Sequence, residues 1–299
     1  MSENYSYFLK CLLFCTFFCF SAQLFSQPAE RVSSITEEFE NYDIKINYNC
    51  ISYPGDPLFI KLNIIPSKRK IKKLIGSNLI CTAEIHSTDD TKKIIRKSDF
   101  YQIDFSKKRK WDTLLTGLPT STFINAGDYS IHLNICAYNL CNETINLPIK
   151  ILEKEFISET ISLNASNTAI KTNTSKERMN QINRLNEILE KTEKDSIFET
   201  TAFIPPTTAT RRTSFFADRR IYAYNNGKSS TSLHYGIDYG IPTGSEVRSC
   251  GRGKVVMAED RISTGWSICI EHLPGLYSLY YHLSELNVKP DQIEKGELI

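Results

Sequence analysis

The sequence has few features of a nucleic-acid-binding protein or of a zinc-ribbon protein. Its 36 lysine and arginine residues are nearly balanced by 34 aspartate and glutamate residues, and the net charge of +2 does not favour a polyanionic partner such as nucleic acid. No two cysteines have the CxxC spacing of a zinc ribbon, which excludes that class of structural zinc site. Only five histidines occur, at positions 86, 132, 234, 272 and 282, so candidates for metal ligation or acid–base catalysis are few.

Two basic runs are the local exceptions to this balance. One is Lys68-Arg69-Lys70 with Lys72 and Lys73, and the other covers residues 107–110. Both lie between strand-like segments. They are interpreted either as solvated loops or as contacts for an anionic cell-wall polymer or lipid headgroups.

The N-terminal residues have the composition of an export signal. Lys10 is followed by the apolar run CLLFCTFFCFSAQLF, which is shorter than the roughly 20 residues that cross a bilayer. Small residues follow this run, and cleavage is expected near Ser26. Residues 1–26 are therefore predicted to be a signal peptide, and the protein is predicted to be exported to the periplasm or cell envelope. An uncleaved membrane anchor is the alternative.

Six of the nine cysteines lie beyond this segment: Cys50, Cys81, Cys136, Cys141, Cys250 and Cys269. An even number in an exported protein permits disulfides without fixing their pairing. Cys136 and Cys141 flank a short connection and are candidates for a bridge across a hairpin. All six are interpreted as structural.

Residues 27–155 are predicted to form an immunoglobulin-like β-sandwich. DIKINYNCISY and LFIKLNII alternate apolar and polar positions around the turn Pro54-Gly55-Asp56-Pro57, and four further segments repeat the theme. No helical period is convincing here, which favours antiparallel sheets packed face to face. His86 and His132 fall on these strands and are interpreted as packing or surface residues.

Residues 156–212 are predicted to connect two domains through a helix over 175–191. Thr174 and Glu177 have the spacing of a capping box, and the apolar residues that follow lie on one helical face: Met179, Ile182, Leu185, Ile188 and Leu189. The stretch SLNASNTAIKTNTS before this helix is expected to be exposed and extended.

From residue 213 onward the pattern is β again, and His234 and Asp238 are the first residues there with metal-ligand chemistry. A helix would place them on one face, but Gly236, Gly240 and Pro242 argue against a helix. On a straight strand they would be roughly 13 Å apart. A shared metal therefore requires the chain to fold back between them, and Gly236 is the residue expected to allow it. Taken alone, the HxxxD spacing is a weak metal signal.

The surrounding segments strengthen this signal. HYGIDYGIPTGSEV, GRGKVVMAE, TGWSICIEHLPGLYSLYYHL and VKPDQIEKGELI occur in this order. Together they resemble the lysostaphin/LytM-type zinc metallopeptidases, the murein endopeptidase family. The pattern of that family reads HxGxDxxxPxGxxV, GxV, GxxVxIxH, YxHL and VxxGxxI. The resemblance covers about residues 213–299, interpreted as a metallopeptidase domain.

The resemblance implies a compact antiparallel β-fold with a groove over one sheet and one Zn²⁺ ion. His234 and Asp238 match the two upstream zinc ligands of the family. His282, within YYHL, matches the catalytic histidine near the metal. His272 matches a residue usually interpreted as structural.

Some positions differ from the family pattern. Ile268 and Ile293 stand where two valines are usual. Arg219 and Arg220 match the arginine after the family's FG-type turn, while Ala217 occupies a position where glycine is common. The larger difference is that the sequence has no HxH motif, which supplies the family's third ligand. The sequence is therefore expected to be truncated before that motif, to bind zinc poorly and to have an incomplete catalytic set.

With a complete ligand set, the resemblance implies zinc-dependent hydrolysis of the cross-linking peptides of peptidoglycan. Tyr277, Tyr280 and Tyr281 are candidates for lining the groove, with packing on a strand as the alternative. Two other hypotheses stay open. One is a catalytically inactive module that binds murein or activates another wall hydrolase, and the other is an adhesion or scaffolding protein that acts through the β-sandwich.

Overall fold

The computed structural model describes residues 31–88, 93–104, 110–140, 142–288 and 291–299. The predicted signal peptide and Cys141 lie outside these residues. The described residues divide into two compact units. The first contains those up to Phe100 together with those from 110 to Glu153, and the second contains Tyr101–Asp104 and Lys154–Ile299. Mainly β structure, as the sequence predicts, is confirmed.

Ten strands precede residue 154 and form two five-stranded sheets. The sheet orders are β1-β2-β4-β8-β7 and β3-β10-β9-β5-β6. The pairings β1-β2, β2-β4, β4-β8, β10-β9, β9-β5 and β5-β6 are antiparallel, and that of β3 with β10 is parallel. The strands are β1 Val32–Glu38, β2 Tyr42–Asn49, β3 Ile51–Ser52, β4 Leu58–Pro66, β5 Leu79–Ser87, β6 Ile94–Asp99, β7 Tyr101–Asp104, β8 Asp112–Leu118, β9 Gly127–Ala137 and β10 Asn142–Ile151.

Alternating side chains explain why these segments become strands. In β2 and β4, every second residue is buried, and Ile46 lies opposite Leu62 across the pair. These residues share one buried cluster with Ile85 and Leu133 of the other sheet. The two sheets therefore enclose a common apolar core, as in a β-sandwich. The immunoglobulin-like assignment of this sandwich stays a prediction.

The two histidines of the sandwich contact one another. The rings of His86 and His132 stack with their centroids 4.1 Å apart, and His86 is almost fully buried. A packing role for both residues agrees with this contact.

From Lys154 onward, the described residues of the second unit contain two helices and nine strands. The helices are α1 Ala165–Lys171 and α2 Lys176–Glu190. The strands are β11 Ser158–Ser162, β12 Arg212–Ser214, β13 Arg219–Ala223, β14 Ser229–Leu233, β15 Asp238–Tyr239, β16 Gly253–Arg261, β17 Gly265–Leu273, β18 Leu276–Leu283 and β19 Gln292–Ile293. They form sheets of order β11-β13-β14, β12-β15 and β18-β17-β16-β19.

The segment that precedes the predicted peptidase domain is folded rather than extended. Strand β11 pairs in parallel with β13, and α1 occupies part of the stretch expected to be extended, so that expectation is wrong. Helix α2 agrees with the predicted helix within a residue at each end. Its N-cap is Ser175, whose hydroxyl accepts a hydrogen bond from the Arg178 N–H, and not Thr174.

Helix α2 contacts β16 and the residues that follow it through polar groups. The Gln181 side chain accepts a hydrogen bond from the Ile262 N–H, and Arg184 forms an ion pair with Glu259 at 3.1 Å. No residue of α2 is fully buried, and Met179 is 42% exposed. Neither helix of the described residues is long and apolar enough to cross a bilayer.

Glu199 connects the residues that follow α2 to residues at the edge of the sheet β18-β17-β16-β19. Its buried carboxylate accepts hydrogen bonds from the Thr201 N–H at 2.8 Å and the Arg252 N–H at 3.1 Å, and Lys295 Nζ lies 2.9 Å away. Burial by itself would raise the pKa of this carboxyl group, but the bonds from Thr201, Lys295 and Arg252 lower the pKa to about 2. Phe203 continues the contact by meeting the His272 ring edge-on at 4.9 Å.

We predict that Glu199→Gln lowers the free energy of unfolding at pH 7 by about 2 kcal/mol, because a buried ion pair and its hydrogen bonds are weakened. Because the folded-state pKa is depressed, the contribution of Glu199 is complete above pH 4.5 and is lost as the pH falls towards 2. The measurement is urea unfolding at pH 7 and at pH 3, followed by Trp266 fluorescence in a Trp111→Phe background. The matched control is Glu193→Gln, which removes an exposed pair with Lys191. Equal stabilities of the Glu199 variant and the control at pH 7 would contradict this account.

Candidate functional site

His234 lies where β14 ends against a tight turn. Its N–H donates to the carbonyl oxygen of Asp218 at 2.9 Å, and its own carbonyl accepts the Ala217 N–H at 2.7 Å. The Asp218 carboxylate closes the turn by accepting the Phe215 N–H at 2.8 Å. These hydrogen bonds fix the position of the His234 backbone independently of the contacts that its side chain makes.

Ala217 has an unusual backbone conformation in this turn. Its φ is +69°, in the left-handed region, and the residue is fully buried. For a residue with a Cβ atom, this conformation costs roughly 1–2 kcal/mol of conformational free energy. This explains physically why glycine is common at the position in the resembled pattern. The turn is retained here because the bonds of His234 and Asp218 hold it on both sides.

The His234 ring faces Asp238 with one nitrogen and the turn with the other. Nδ1 lies 3.0 Å from the Phe215 carbonyl oxygen, and Nε2 lies 3.1 Å from Asp238 Oδ1. A carbonyl only accepts hydrogen bonds, so Nδ1 carries the proton. Nε2 is therefore directed at the carboxylate oxygen. The fold-back that the HxxxD spacing requires is present.

The expected role of Gly236 in this fold-back is wrong. The φ of Gly236 is not in the left-handed region, and a Cβ atom built on it would meet nothing within 4 Å. The reversal arises instead because β15 pairs with β12, where Asp238 lies opposite Ser214. The strand pairing, rather than a glycine conformation, brings the carboxylate to the histidine.

Arg220 holds the other oxygen of Asp238. Its Nη2 lies 3.4 Å from Asp238 Oδ2 and also donates to the hydroxyl of Ser214. Burial would lower the pKa of this guanidinium, but hydrogen bonds with Tyr222 and Asp238 keep the pKa above its usual value. Arg220 is therefore a permanent cation beside the pair.

The chemistry of the pair fits two ligands of a zinc ion. Ligands about 2.0–2.1 Å from a tetrahedral zinc lie about 3.3 Å apart, close to the 3.1 Å between His234 Nε2 and Asp238 Oδ1. Two lone pairs at that distance repel unless a proton or a metal cation lies between them. A ligating histidine also normally donates its second N–H to a carbonyl or carboxylate, as His234 does to Phe215.

A complete metal site is not formed within the described ranges. Among them, no group of three or more His, Cys, Asp or Glu side chains is arranged to hold a metal ion. A catalytic zinc site typically has three protein ligands, so the two side chains of the pair do not form such a site by themselves.

His282 lies in a β-bulge near the end of β18. Trp266 pairs with Leu283 and Ile268 with Tyr280, so Tyr281 and His282 together face the single residue between Trp266 and Ile268. The φ of His282 is +60°, and its N–H donates to the Thr264 carbonyl at 2.9 Å. Such bulges redirect a side chain and occur next to active sites. The His282 side chain is exposed.

His272 is held as a neutral structural residue. It is fully buried, with Nδ1 2.8 Å from the Arg252 carbonyl oxygen and Nε2 2.7 Å from the Ser278 hydroxyl. The carbonyl fixes the proton on Nδ1, so the hydroxyl donates to Nε2. Burial lowers the pKa of His272, which keeps both bonds in place at neutral pH. This geometry agrees with the structural role that the resemblance implies.

The three candidate groove tyrosines have different environments. Tyr280 is buried and its hydroxyl accepts the Cys250 N–H at 2.8 Å, which is a packing role. The Tyr277 hydroxyl donates to the Lys191 carbonyl at 2.6 Å. Tyr281 is 37% exposed.

Several residues around the pair were not recognised from the sequence. Phe215, Tyr235 and Ile237 expose large apolar side chains, and Tyr235 is 79% exposed. Tyr235 and Ile237 alternate with His234 and Asp238 along the chain, and that alternation is the only sequence signal that could have identified them.

We predict that Gly236→Ala leaves the free energy of unfolding unchanged or raises it by up to about 1 kcal/mol, because its conformation and surroundings accept a methyl group. The contrasting variant is Gly253→Ala, whose Cβ atom would lie 2.4 Å from Ile270 Cγ2 and 2.5 Å from the Glu271 carbonyl oxygen. It should cost about 1–3 kcal/mol. Urea unfolding followed by Trp266 fluorescence measures both. A clear destabilisation by Gly236→Ala would instead support the expectation that the fold-back between His234 and Asp238 requires glycine at position 236.

Comparison with known proteins agrees with this C-terminal assignment. Residues 232–299 match Peptidase family M23. Over 67 residues the chain is 34% identical to the DD-carboxypeptidase/endopeptidase Mpg of Neisseria meningitidis serogroup B, and equally to that of Neisseria gonorrhoeae. The match covers 22% of this chain and 16% of the length of those relatives.

Two solved structures are similar over a larger part of the chain but at low similarity. A putative peptidase M23 from Pseudomonas aeruginosa has a TM-score of 0.48 at 13% identity, covering 83% of this chain and 80% of its own. Helicobacter pylori Csd3 has a TM-score of 0.27 at 14% identity, covering 89% and 67%. TM-scores below 0.5 establish neither fold nor function. The family match and the Neisseria relatives instead assign the domain: the C-terminal part of the chain, residues 232–299, carries an M23 peptidase domain of the LytM type.

Proposed function

We propose that the protein is a zinc-dependent metalloendopeptidase that hydrolyses the cross-linking peptides of peptidoglycan. The observation that carries the proposal is the opposition of His234 Nε2 and Asp238 Oδ1 at 3.1 Å, with the other histidine nitrogen donating to the Phe215 carbonyl. The family match supports a peptide-bond hydrolase, and the Neisseria relatives, named as carboxypeptidase and endopeptidase, support a cell-wall substrate.

In this proposal His234 and Asp238 hold the metal. When bound, zinc supplies a Lewis acid that polarises a scissile carbonyl and lowers the pKa of water to about 7. The Phe215 carbonyl keeps the His234 ring in the tautomer whose Nε2 is free to ligate. The Asp238 side chain is 47% exposed, so the pair is open to a substrate from that side.

His282 is proposed as the catalytic acid–base group. The bulge presents its ring to solvent, where it is able to hold or move a proton at a substrate atom. Exposed Tyr235 and Ile237 beside the pair offer apolar surface to a bound peptide.

The wider organisation is also proposed. Residues 1–26 direct export to the periplasm or cell envelope, and residues 27–155 form a sandwich that positions the C-terminal domain near its substrate. Residues 156–212 connect it to the domain at 213–299. If the N-terminal segment is not cleaved, it anchors the protein in the membrane.

The second candidate function is a catalytically inactive protein that binds murein or activates a hydrolase. It is supported by the finding that the described residues contain no group of three or more His, Cys, Asp or Glu side chains arranged to hold a metal ion. A two-ligand site should bind zinc more weakly than a complete one, and such a site does not by itself complete a catalytic set.

We predict that zinc binding to the full chain depends on the pair. His234→Ala and Asp238→Ala should each abolish measurable binding, since one protein ligand then remains. His132→Ala is the matched control and should bind as the wild type does. Isothermal titration with Zn²⁺ and visible absorption with Co²⁺ are the measurements. Equal affinities for the wild type and His234→Ala would refute the metal site.

We predict that His282→Ala separates metal binding from catalysis. This variant should keep the zinc affinity of the wild type and lose cleavage of purified peptidoglycan by about 10²–10⁴-fold, the contribution of a positioned acid–base group. Chromatography of released muropeptides measures cleavage. Wild-type protein that sediments with peptidoglycan and releases no muropeptide at saturating zinc would favour the inactive binding protein instead.

A further inference from the structure

Arg220 lies between the metal pair and the segment that precedes the predicted peptidase domain. Its Nε lies 3.2 Å from Glu159 Oε1, while its Nη2 contacts Asp238 Oδ2. Glu159 lies on β11, directly opposite Arg220 of β13 in the parallel pair. A row of carboxylate, guanidinium and carboxylate therefore joins Glu159 to Asp238.

We infer that Arg220 and Glu159 are positioning residues for the metal-facing carboxylate, an inference that rests on the proposed zinc site. The two oxygens of Asp238 contact different side chains: Oδ2 faces Arg220, and Oδ1 faces His234. The terminal torsion of an aspartate is broad, and this side chain is about half exposed. Without Arg220 the carboxylate rotates freely, and the separation of the two donor atoms is no longer fixed.

Glu159 compensates the positive charge that Arg220 places beside the proposed metal site. A guanidinium beside a dication opposes metal binding, and the Arg220 side chain is only 11% exposed, so water screens its charge poorly. Glu159 contacts Arg220 Nε while Asp238 contacts Nη2, so Glu159 supplies a second negative charge that offsets the charge of the guanidinium. The Arg220 Nε hydrogen is not aligned on the Glu159 oxygen, so this contact acts through charge rather than through a directed hydrogen bond.

The same contacts contribute little to folding. Both carboxylates are more than 40% exposed, and ion pairs of that kind are weak in water. Glu159 and Arg220 should therefore influence metal affinity more strongly than stability. That difference separates a positioning role from a structural one.

The test measures Zn²⁺ affinity and the unfolding free energy of the metal-free full chain for Arg220→Gln, Glu159→Gln and the double variant. Arg220→Gln should weaken zinc binding about 10–100-fold, as loss of an outer-shell partner does. Glu159→Gln should weaken it about 3–10-fold, as expected for an unscreened charge near the ion. The double variant should bind no more weakly than Arg220→Gln, because Glu159 acts through Arg220. Arg184→Gln, which removes the ion pair with Glu259, is the control and should change nothing.

A second measurement does not need metal. A crystal structure of metal-free Arg220→Gln should show Asp238 Oδ1 turned away from His234 Nε2. Zinc affinities like the wild type for both single variants, with binding lost in His234→Ala, would overturn this inference and leave the zinc site intact. A loss of affinity that parallels a loss of folding free energy would also overturn it. If wild type and His234→Ala bind zinc equally, the site and the inference both fail.

Discussion

The candidate site depends on the opposition of His234 Nε2 and Asp238 Oδ1, two atoms that need a proton or a metal ion between them. The Phe215 carbonyl accepts a hydrogen bond from His234 Nδ1, and Nε2 lies 3.1 Å from the carboxylate oxygen. The backbone bonds of His234 and the pairing of β12 with β15 impose this opposition. Either a proton on Nε2 or a shared metal ion removes the repulsion between these two atoms, and the proposed function assigns this role to zinc.

The residues before the predicted domain take part in building it. Glu199 and Phe203 contact residues of the sheet β18-β17-β16-β19 and its edge. Strand β11 extends the sheet that carries Arg220, and α2 contacts β16 through polar groups. The hydrogen bonds to Glu199 lower its pKa to about 2, and the Phe203 ring packs against the buried His272 ring. A flexible linker would make no such contacts. The second compact unit accordingly includes all of the described residues from Lys154 onward and not only those of the predicted domain.

The sequence predicted the strands well wherever local pattern decides the outcome. Alternation of apolar residues predicted β2 and β4, and the periodic run after Ser175 predicted α2. The proximity of His234 and Asp238 followed from the resemblance and not from their spacing. The mechanism of their approach was predicted wrongly, because Gly236 was an obvious candidate and strand pairing with Ser214 is a tertiary event.

Other features were beyond the reach of local pattern. Ala217 adopts a left-handed conformation that its residue type disfavours, and only the bonds around it explain this. Glu159 and Arg220 meet because β11 and β13 pair in parallel, and neither segment indicates the pairing by itself. The short helix α1 lies in a stretch rich in Asn, Ser and Thr, which favour caps and turns over helix interiors.

The most direct test of the central claim is the anomalous scattering of a crystal of the full chain soaked in Zn²⁺, recorded on both sides of the zinc absorption edge. The account predicts a peak about 2.0–2.2 Å from both His234 Nε2 and Asp238 Oδ1. The result that would contradict it is an ordered pair that keeps its 3.1 Å contact, with no anomalous peak between the two atoms at saturating zinc.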